Sequence, residues 1–154
     1  MLNLQNIKAV FFDFDDTLCI HSIHKDWDVI INEKSNSNIF DENGCKDNIQ
    51  MKEFVKKCQQ AEIEMHLISA TNEARRRLKL EWVKNHYGVS MMDSCTSSHS
   101  EKAYKMIEYC QKNGIKPNEI LYVDDMDDNM SQATVWGIQA CSPMEIVNYV
   151  NGEA

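Results

Sequence analysis

The sequence predicts an α/β fold, a doubly wound parallel sheet with helices on both faces, which gives a three-layer α/β/α arrangement. Short apolar runs alternate repeatedly with segments of helical periodicity, and this alternation is typical of a parallel sheet with crossover helices. The 154 residues are an ordinary length for one domain, so we expect a single domain over residues 1–154. Gly (5) and Pro (2) are sparse, which argues against a chain of tight β-turns.

The individual elements follow from local patterns. Strands are predicted where β-branched and aromatic residues cluster, and helices where apolar residues recur at three- and four-residue spacing. The predicted strands are residues 8–14, 64–69, 89–95, 119–123 and 138–141, and the predicted helices are residues 47–61, 72–86, 100–113, 129–136 and 143–150. Gly88, Gly114 and Gly137 stand where three of these helices should end. Trp82 and Trp136 fit apolar stripes, so we expect both in the core.

Residues 19–46 interrupt the alternation directly after the first strand. This polar stretch is rich in Asn, Ser and Asp, and long insertions in compact domains are usually functional or flexible. We expect a small loop insertion here. His21, His24 and Trp27 lie in it and are candidates for substrate contact, although a histidine in a polar loop is more often simply exposed.

Composition excludes several classes of function. The net charge of −8 disfavours general binding to nucleic acid or to anionic lipid. No apolar run approaches the ~20 residues that cross a bilayer, and the first residues do not resemble a signal peptide. The six cysteines are scattered without a CxxC pair, so we expect free thiols rather than a zinc site or a disulfide framework. These features together favour the cytoplasm.

Acidic residues follow two of the predicted strands, at residues 13–16 and 124–128. If both strands are central, the two clusters meet at one edge of the sheet, where ligands of such folds bind. Two carboxylates ~4 Å apart repel by ~4 kcal/mol at an effective dielectric constant of 20. Protons or a hard cation must therefore lie between them, and an all-oxygen ligand set favours Mg²⁺ over zinc. Either run alone is better explained as a solvated loop or a helix cap.

Four motifs in order make the chain resemble the haloacid dehalogenase-like (HAD) hydrolases, over nearly its whole length. Their first motif, an apolar strand followed by DxDxT, stands at residues 10–18. Their second, a strand ending in Ser or Thr, is matched at Ser69, and their third, a lysine near the start of a helix, at Lys102. Their fourth, a strand ending in acids, is matched by DDxxxN within residues 121–129. The resemblance implies a Rossmann-like, HAD-like core in which residues 19–46 form a small cap-like loop insertion.

The resemblance also implies phosphoryl transfer through an aspartyl-phosphate. Asp13 would be the nucleophile, and Asp15 the acid that protonates the leaving oxygen and then the base that activates water. Mg²⁺ and Lys102 would offset the charge of the phosphate. The implied metal ligands are Asp13, the backbone carbonyl of Asp15 and the side chain of Asp125.

The remaining implied residues bind phosphate or support the site. Ser69 offers a hydroxyl to a phosphate oxygen, and the backbone N–H groups after it, beginning with Ala70, join it. Thr17 is expected to buttress Asp15, while Asp124 and Asn129 are expected to orient the metal site. Ser69 could equally cap the helix that follows, and Lys102 could be a solvated helix residue.

The leading hypothesis is a Mg²⁺-dependent phosphatase acting on a phosphomonoester, either a phosphorylated small molecule or a macromolecular phosphate ester. The alternatives are a non-catalytic, receiver-like domain that binds phosphate or Mg²⁺, and another activity of the same superfamily, such as phosphotransfer or dehalogenation. The inserts are too short for a large cap, so an open site is expected. Family members without a large cap act on large substrates or use a neighbouring subunit as a lid. A homo-oligomer is therefore one of the expected states.

Overall fold

The computed structural model describes residues 2–21, 31–34 and 46–153, with the backbone alone at 31–34. In chain order its strands are β1 (Ala9–Phe12), β2 (Cys19–Ile20), β3 (Ile31–Lys34), β4 (Lys46–Asn48), β5 (Glu64–Leu67), β6 (Met92–Asp93), β7 (Ile120–Val123) and β8 (Gln139–Cys141). Its α-helices are α1 (Ile49–Gln60), α2 (Glu73–Tyr87), α3 (Lys102–Asn113), α4 (Asp127–Val135) and α5 (Pro143–Asn151). Short 3₁₀ turns precede α3 and β7.

The main sheet has five parallel strands in the order β6–β5–β1–β7–β8. The first strand lies at its centre, where Phe12 pairs with Leu67 on one side and with Val123 on the other. The chain therefore leaves β1, β5 and β7 at one edge of the sheet. Asp13 and Asp124 are the first residues beyond that edge. The α/β fold class predicted from the sequence is confirmed.

Alternate strand residues face two helical layers, because successive side chains on a strand point to opposite faces. Val10 and Phe12 belong to a core shared with α1, α2 and α5. Ala9 and Phe11 belong to a second core shared with α3 and α4. Every residue of β1 and β7 is buried, as expected for strands covered on both faces.

Local signals define most helix ends. The side chains of Asn48, Asn72 and Ser142 accept a hydrogen bond from a backbone N–H in the first turn of α1, α2 and α5. Gly88 and Gly114 end α2 and α3 at φ angles of 70° and 65°, a left-handed conformation that glycine adopts without a Cβ clash. The predicted helix over residues 47–61 begins only at residue 49, because residues 46–48 pair in a sheet instead.

The insertion contributes a second sheet. The expected loop contains strands, since β2, β4 and β3 form an antiparallel sheet in that order. Pairing of Cys19 with Asp47 brings the two ends of the insertion together. His24 and Trp27 lie outside the described residues. None of the helices in the described ranges combines the length and apolar character that a bilayer-spanning helix needs.

Two expectations about single side chains are wrong. Trp136 is 54% exposed because it follows the last turn of α4, whose buried residues are Asn129 and Ala133; Trp82 is buried as predicted. Cys19 is disulfide-bonded rather than free. The free cysteines of the described residues, all buried, are Cys58, Cys95, Cys110 and Cys141.

Candidate active site

A cavity of about 270 Å³ opens at the carboxyl edge of the main sheet. Three strand ends and the 3₁₀ turn before α3 contribute its walls. The lining residues are Asp13, Asp15, Asp16, Ser69, Ala70, His99, Asp125 and Met126. The sequence had pointed to Asp13, Asp15, Ser69, Ala70 and Asp125, and the structure places all of them around this one space.

Lys102 bridges the two acidic clusters from the first turn of α3. Its Nζ donates to Asp13 Oδ1 at 2.7 Å and to Asp124 Oδ2 at 2.9 Å. The three side chains are 2%, 9% and 0% exposed, so this is a buried ion-pair network. Burial raises the pKa of Asp13, and repulsion from Asp124 adds to the shift against the attraction of Lys102. The pKa of Lys102 is raised, because the attraction of both carboxylates outweighs the effect of its burial.

Asp124 is held from several sides. Its Oδ1 accepts from the backbone N–H of Met126 at 2.8 Å, and its Oδ2 accepts from the Tyr122 hydroxyl. The side-chain amide of Asn129 donates to both oxygens, at 3.2 and 3.1 Å. Asn129 thus anchors a carboxylate, and it also lies 3.4 Å from Nδ1 of His99.

Three carboxylates lie close enough to share a cation. Asp13, Asp124 and Asp125 each offer an oxygen within 4.8 Å of the others, and within the described ranges this is the group suited to a metal ion. Burial, together with repulsion from Asp124 and Asp16, raises the pKa of Asp125 to about 6. An all-oxygen donor set with excess negative charge fits Mg²⁺.

Two of the three expected metal ligands have side chains in this group of carboxylates, whereas the side chain of the third, Asp15, lies outside it. Asp13 and Asp125 lie in the carboxylate group, and Asp124, expected only to support the site, lies there too. The side chain of Asp15 turns away from it. Its backbone carbonyl remains the atom through which the resemblance implies that it binds.

Asp15 is held by two basic side chains instead. Its Oδ2 accepts from Lys79 Nζ at 2.7 Å, and its Oδ1 lies 2.8 Å from His21 Nε2. Burial opposes ionisation of Asp15, but the hydrogen bonds from His21 and Lys79 outweigh it and lower its pKa to about 2. Of the histidines suspected in the insertion, His21 reaches the site, through Asp15.

Thr17 supports the turn after β1 rather than the side chain of Asp15. It is fully buried, and within the described part of the chain its Oγ1 has no hydrogen-bond partner. Its backbone N–H donates to Phe14 O at 3.3 Å. The turn passes through Asp16, whose φ of 54° lies in the left-handed region and whose Oδ1 accepts from the His21 N–H at 2.9 Å.

Ser69 does not cap the following helix, because Asn72 does. Its hydroxyl lies 2.8 Å from Lys79 Nζ. Thr96 pairs with Ala70 through the neighbouring backbone groups, since Thr96 N–H donates to Ser69 O and Thr71 N–H donates to Thr96 O. In a parallel ladder this directs the N–H of Ala70 to the opposite side of the strand.

Lys79 and His99 were missed at the level of sequence. Lys79 stands between Leu78 and Leu80 in a helix with a lysine- and arginine-rich surface, so nothing local marks it as buried. His99 precedes Lys102 by less than one turn of helix, and its proximity to Lys102 was the only available signal. Both needed the tertiary fold to be recognised.

No family model and no curated protein matches this chain, but solved structures do. A HAD-superfamily hydrolase from Ehrlichia chaffeensis is 16% identical with a TM-score of 0.60, and the match covers 96% of this chain and 97% of that one. The phosphatase-containing N-terminal part of a Bacteroides fragilis protein, complexed with Mg, is 17% identical with a TM-score of 0.63, over 96% of this chain and 40% of that one.

A third similar structure is the cobalt-bound deoxy-D-mannose-octulosonate 8-phosphate phosphatase of Haemophilus influenzae. It is 15% identical with a TM-score of 0.57, over 90% of this chain and 70% of that one. At such identities the likeness concerns the fold. The chain has the fold of the haloacid dehalogenase-like hydrolases.

Proposed function

We propose that this protein is a Mg²⁺-dependent phosphatase that hydrolyses a phosphomonoester through an aspartyl-phosphate on Asp13. One observation carries the proposal. The carboxylate of Asp13 ends the central strand, faces a cavity, and is paired with a buried lysine next to two further carboxylates. An ion pair that serves only stability would not have three carboxylates around one lysine, because the surplus negative charge is destabilising.

The residues that would hold Mg²⁺ are Asp13, Asp125 and the backbone carbonyl of Asp15, with Asp124 beside them. When bound, Mg²⁺ supplies positive charge that reduces the repulsion between an anionic nucleophile and an anionic phosphate. Lys102 supplies positive charge at the same place, 2.7 Å from Asp13 Oδ1. It would hold the nucleophile in one orientation while its charge attracts the substrate.

The first step is attack of an Asp13 oxygen on phosphorus, with cleavage of the bond between phosphorus and the leaving oxygen. Asp15 gives that oxygen its proton. In the second step Asp15 takes a proton from water, the water oxygen attacks phosphorus, and the bond between phosphorus and Asp13 breaks. Ser69 and the N–H of Ala70 bind phosphoryl oxygens. Since His21 and Lys79 occupy both oxygens of Asp15, the contact with His21 opens so that Oδ1 can carry the proton, while Lys79 keeps Oδ2.

We also propose that the insertion acts as a minimal cap. His21 directly follows β2 and reaches Asp15, so the sheet formed by β2, β4 and β3 borders the site. Within the described residues the site is otherwise open to solvent on the side of Asp125 and Met126, both exposed. A phosphorylated small molecule or a phosphate group on a macromolecule fits such a site, and a cytoplasmic location remains part of the proposal.

The test is hydrolysis of 4-nitrophenyl phosphate with Mg²⁺ by the wild type, Asp13→Asn and Asp128→Asn. The last variant is the matched control, because Asp128 is an exposed acid of the same charge outside the cavity. We expect Asp13→Asn to lose turnover by at least about 10³-fold, and the control to keep it. Mass spectrometry of quenched wild-type protein should find a phosphoryl group on Asp13.

Activity that survives Asp13→Asn would refute the mechanism. The proposed phosphatase activity would be refuted if the wild type binds Mg²⁺ but hydrolyses no member of a panel of sugar phosphates, nucleotides, phosphopeptides and nucleic-acid ends. That result would favour the non-catalytic, receiver-like alternative.

A further inference from the structure

Lys79 is a buried cation that the mechanism above does not use. It lies in the middle of α2, and its side chain is 5% exposed. Its Nζ reaches Ser69 Oγ at 2.8 Å and Asp15 Oδ2 at 2.7 Å, and it lies 5.0 Å from the centre of the Phe14 ring. A single ammonium group thus contacts the two side chains assigned to phosphate binding and to proton transfer.

This arrangement is a poor device for stability. Lysine is rarely buried unless it is paired, and the carboxylate that pairs with Lys79 belongs to Asp15, whose side chain is 50% exposed. Solvent weakens an ion pair on that side, while the ammonium still loses its hydration. An apolar side chain would serve the packing of α2 against Phe14 equally well. The position of Lys79 is better explained by what it does to Ser69 and Asp15.

The direction of the Ser69 hydroxyl follows from hydrogen-bond chemistry. An ammonium group has three donors and no acceptor, whereas a hydroxyl has one donor and two lone pairs. Ser69 can therefore only accept from Lys79, and its own hydrogen must point elsewhere. Because Ser69 lines the cavity, that hydrogen is available to an oxygen of a bound phosphoryl group.

The same contact sets the position of Asp15. Its Oδ2 is tied to an ammonium that is fixed by the helix, so the carboxylate has a defined distance from Ser69 and from the phosphoryl group that Ser69 binds. Proton transfer to the leaving oxygen depends on such positioning, because the donor must lie within hydrogen-bond reach.

We propose that Lys79 is a positioning residue that aligns the Ser69 hydroxyl with the phosphoryl group and the Asp15 carboxylate with the leaving oxygen of the substrate. The proposal rests on the proposed phosphatase function and makes one distinctive demand. Lys79 should matter most for esters whose leaving group needs a proton.

The experiment compares two esters with Mg²⁺ for the wild type, Lys79→Met and Lys84→Met. Methyl phosphate has a leaving group that requires protonation, whereas 4-nitrophenyl phosphate has one that departs as a stable anion. We expect Lys79→Met to lower kcat/KM about 10–100-fold for methyl phosphate and less than about 5-fold for 4-nitrophenyl phosphate, since acid catalysis is typically worth 10²–10⁴-fold. Lys84 is an exposed lysine of the same helix, so Lys84→Met should change neither value.

A second comparison tests the route through Ser69. With Ser69 present, Lys79→Met should weaken inhibition by inorganic phosphate. In the Ser69→Ala background it should not, because the hydroxyl that Lys79 orients is gone. Lys79→Arg keeps a charged donor and should restore part of the methyl phosphate activity. Unfolding midpoints verify that each variant is folded, and Lys79→Gln replaces Lys79→Met if the latter does not fold.

The outcomes separate the two proposals. A wild type that hydrolyses neither ester would refute the phosphatase function itself. An active wild type with equal losses for both esters in Lys79→Met would refute the positioning of Asp15, since weaker phosphoryl binding or a merely structural defect affects both substrates alike. Losses that are larger for methyl phosphate in Lys79→Met, and smaller again in Lys79→Arg, support it.

Discussion

Replacing Lys102 by methionine should destabilise the metal-free protein by about 3–5 kcal/mol, which is typical when one partner of a buried ion pair is removed. Methionine keeps the length of the side chain and removes the ammonium. Two hydrogen bonds to carboxylates are lost, at 2.7 Å from Asp13 and 2.9 Å from Asp124, and each is worth about 1.5–3 kcal/mol. Both carboxylates are then buried without a compensating cation, at 9% and 0% exposure.

Urea unfolding in the presence of a chelator measures the effect. The midpoint should fall while the slope stays constant, because the surface exposed on unfolding does not change. At about 2–4 °C per kcal/mol for a chain of this length, the midpoint temperature of thermal unfolding should fall by about 6–20 °C. Lys105→Met is the control, because Lys105 lies on the same helix and its pair with Glu108 is exposed and 3.5 Å long. It should cost less than about 1 kcal/mol.

Two further results would follow from the same reasoning. Adding Asp13→Asn to Lys102→Met should recover part of the lost stability, since it removes one of the unpaired charges. Mg²⁺ should stabilise Lys102→Met more than it stabilises the wild type, because it supplies the missing positive charge. A loss below about 1 kcal/mol in Lys102→Met, or a double variant less stable than the single one, would refute the view that Lys102 compensates both carboxylates.

Asp125, the indole side chains and His66 give three other expectations. Asp125→Asn should raise the Mg²⁺ concentration for half-maximal activity at least about tenfold. It should not destabilise the metal-free protein, because burial and Asp124 already raise the pKa of Asp125 to about 6. A Mg²⁺ titration with an unchanged midpoint would contradict this. Trp82→Ala should cost about 3–5 kcal/mol of unfolding free energy, and Trp136→Ala less than about 0.5 kcal/mol, because the two residues are 3% and 54% exposed; similar losses in urea unfolding would be the contrary result. Burial lowers the pKa of His66 below its ordinary 6.5, so the imidazole binds a proton more readily in the unfolded chain than in the folded one. Stability should therefore fall as the pH drops through about 6.5. The free energy of unfolding, measured against pH, should show that fall in the wild type and not in His66→Asn.

The elements of this fold follow largely from local chemistry. The strand at β1 and the helix at α3 were predicted to within a few residues, because apolar periodicity, a strand-terminating acid run and a C-terminal glycine are all readable nearby. The start of α1 falls at residue 49 rather than 47, since residues 46–48 pair with β2 and β3 instead. Trp136 was misplaced for a related reason. Periodicity assigns it to a stripe, but α4 ends one residue earlier.

The candidate site divides in the same way. Asp13, Asp15 and Asp125 were identified because they lie in the two acid runs that follow strands, and the carboxyl ends of parallel strands meet at one edge of the sheet. Asp124 completes a group of three carboxylates with Asp13 and Asp125, and its place there depends on side-chain geometry that spacing alone does not give.

By itself the sequence determined the strand and helix pattern and the acids at the strand ends, because both depend on neighbours within a few positions. Only the tertiary structure showed that Lys79, in addition to the Lys102 implied by the resemblance, meets those acids. Lys79 contacts Asp15 across 64 residues of sequence and Lys102 contacts Asp13 across 89, and the first of these two contacts has no local signature. A lysine that is solvated in one fold and buried beside a carboxylate in another has the same neighbours in sequence, so its role is set by the packing of α2 and α3 against the sheet.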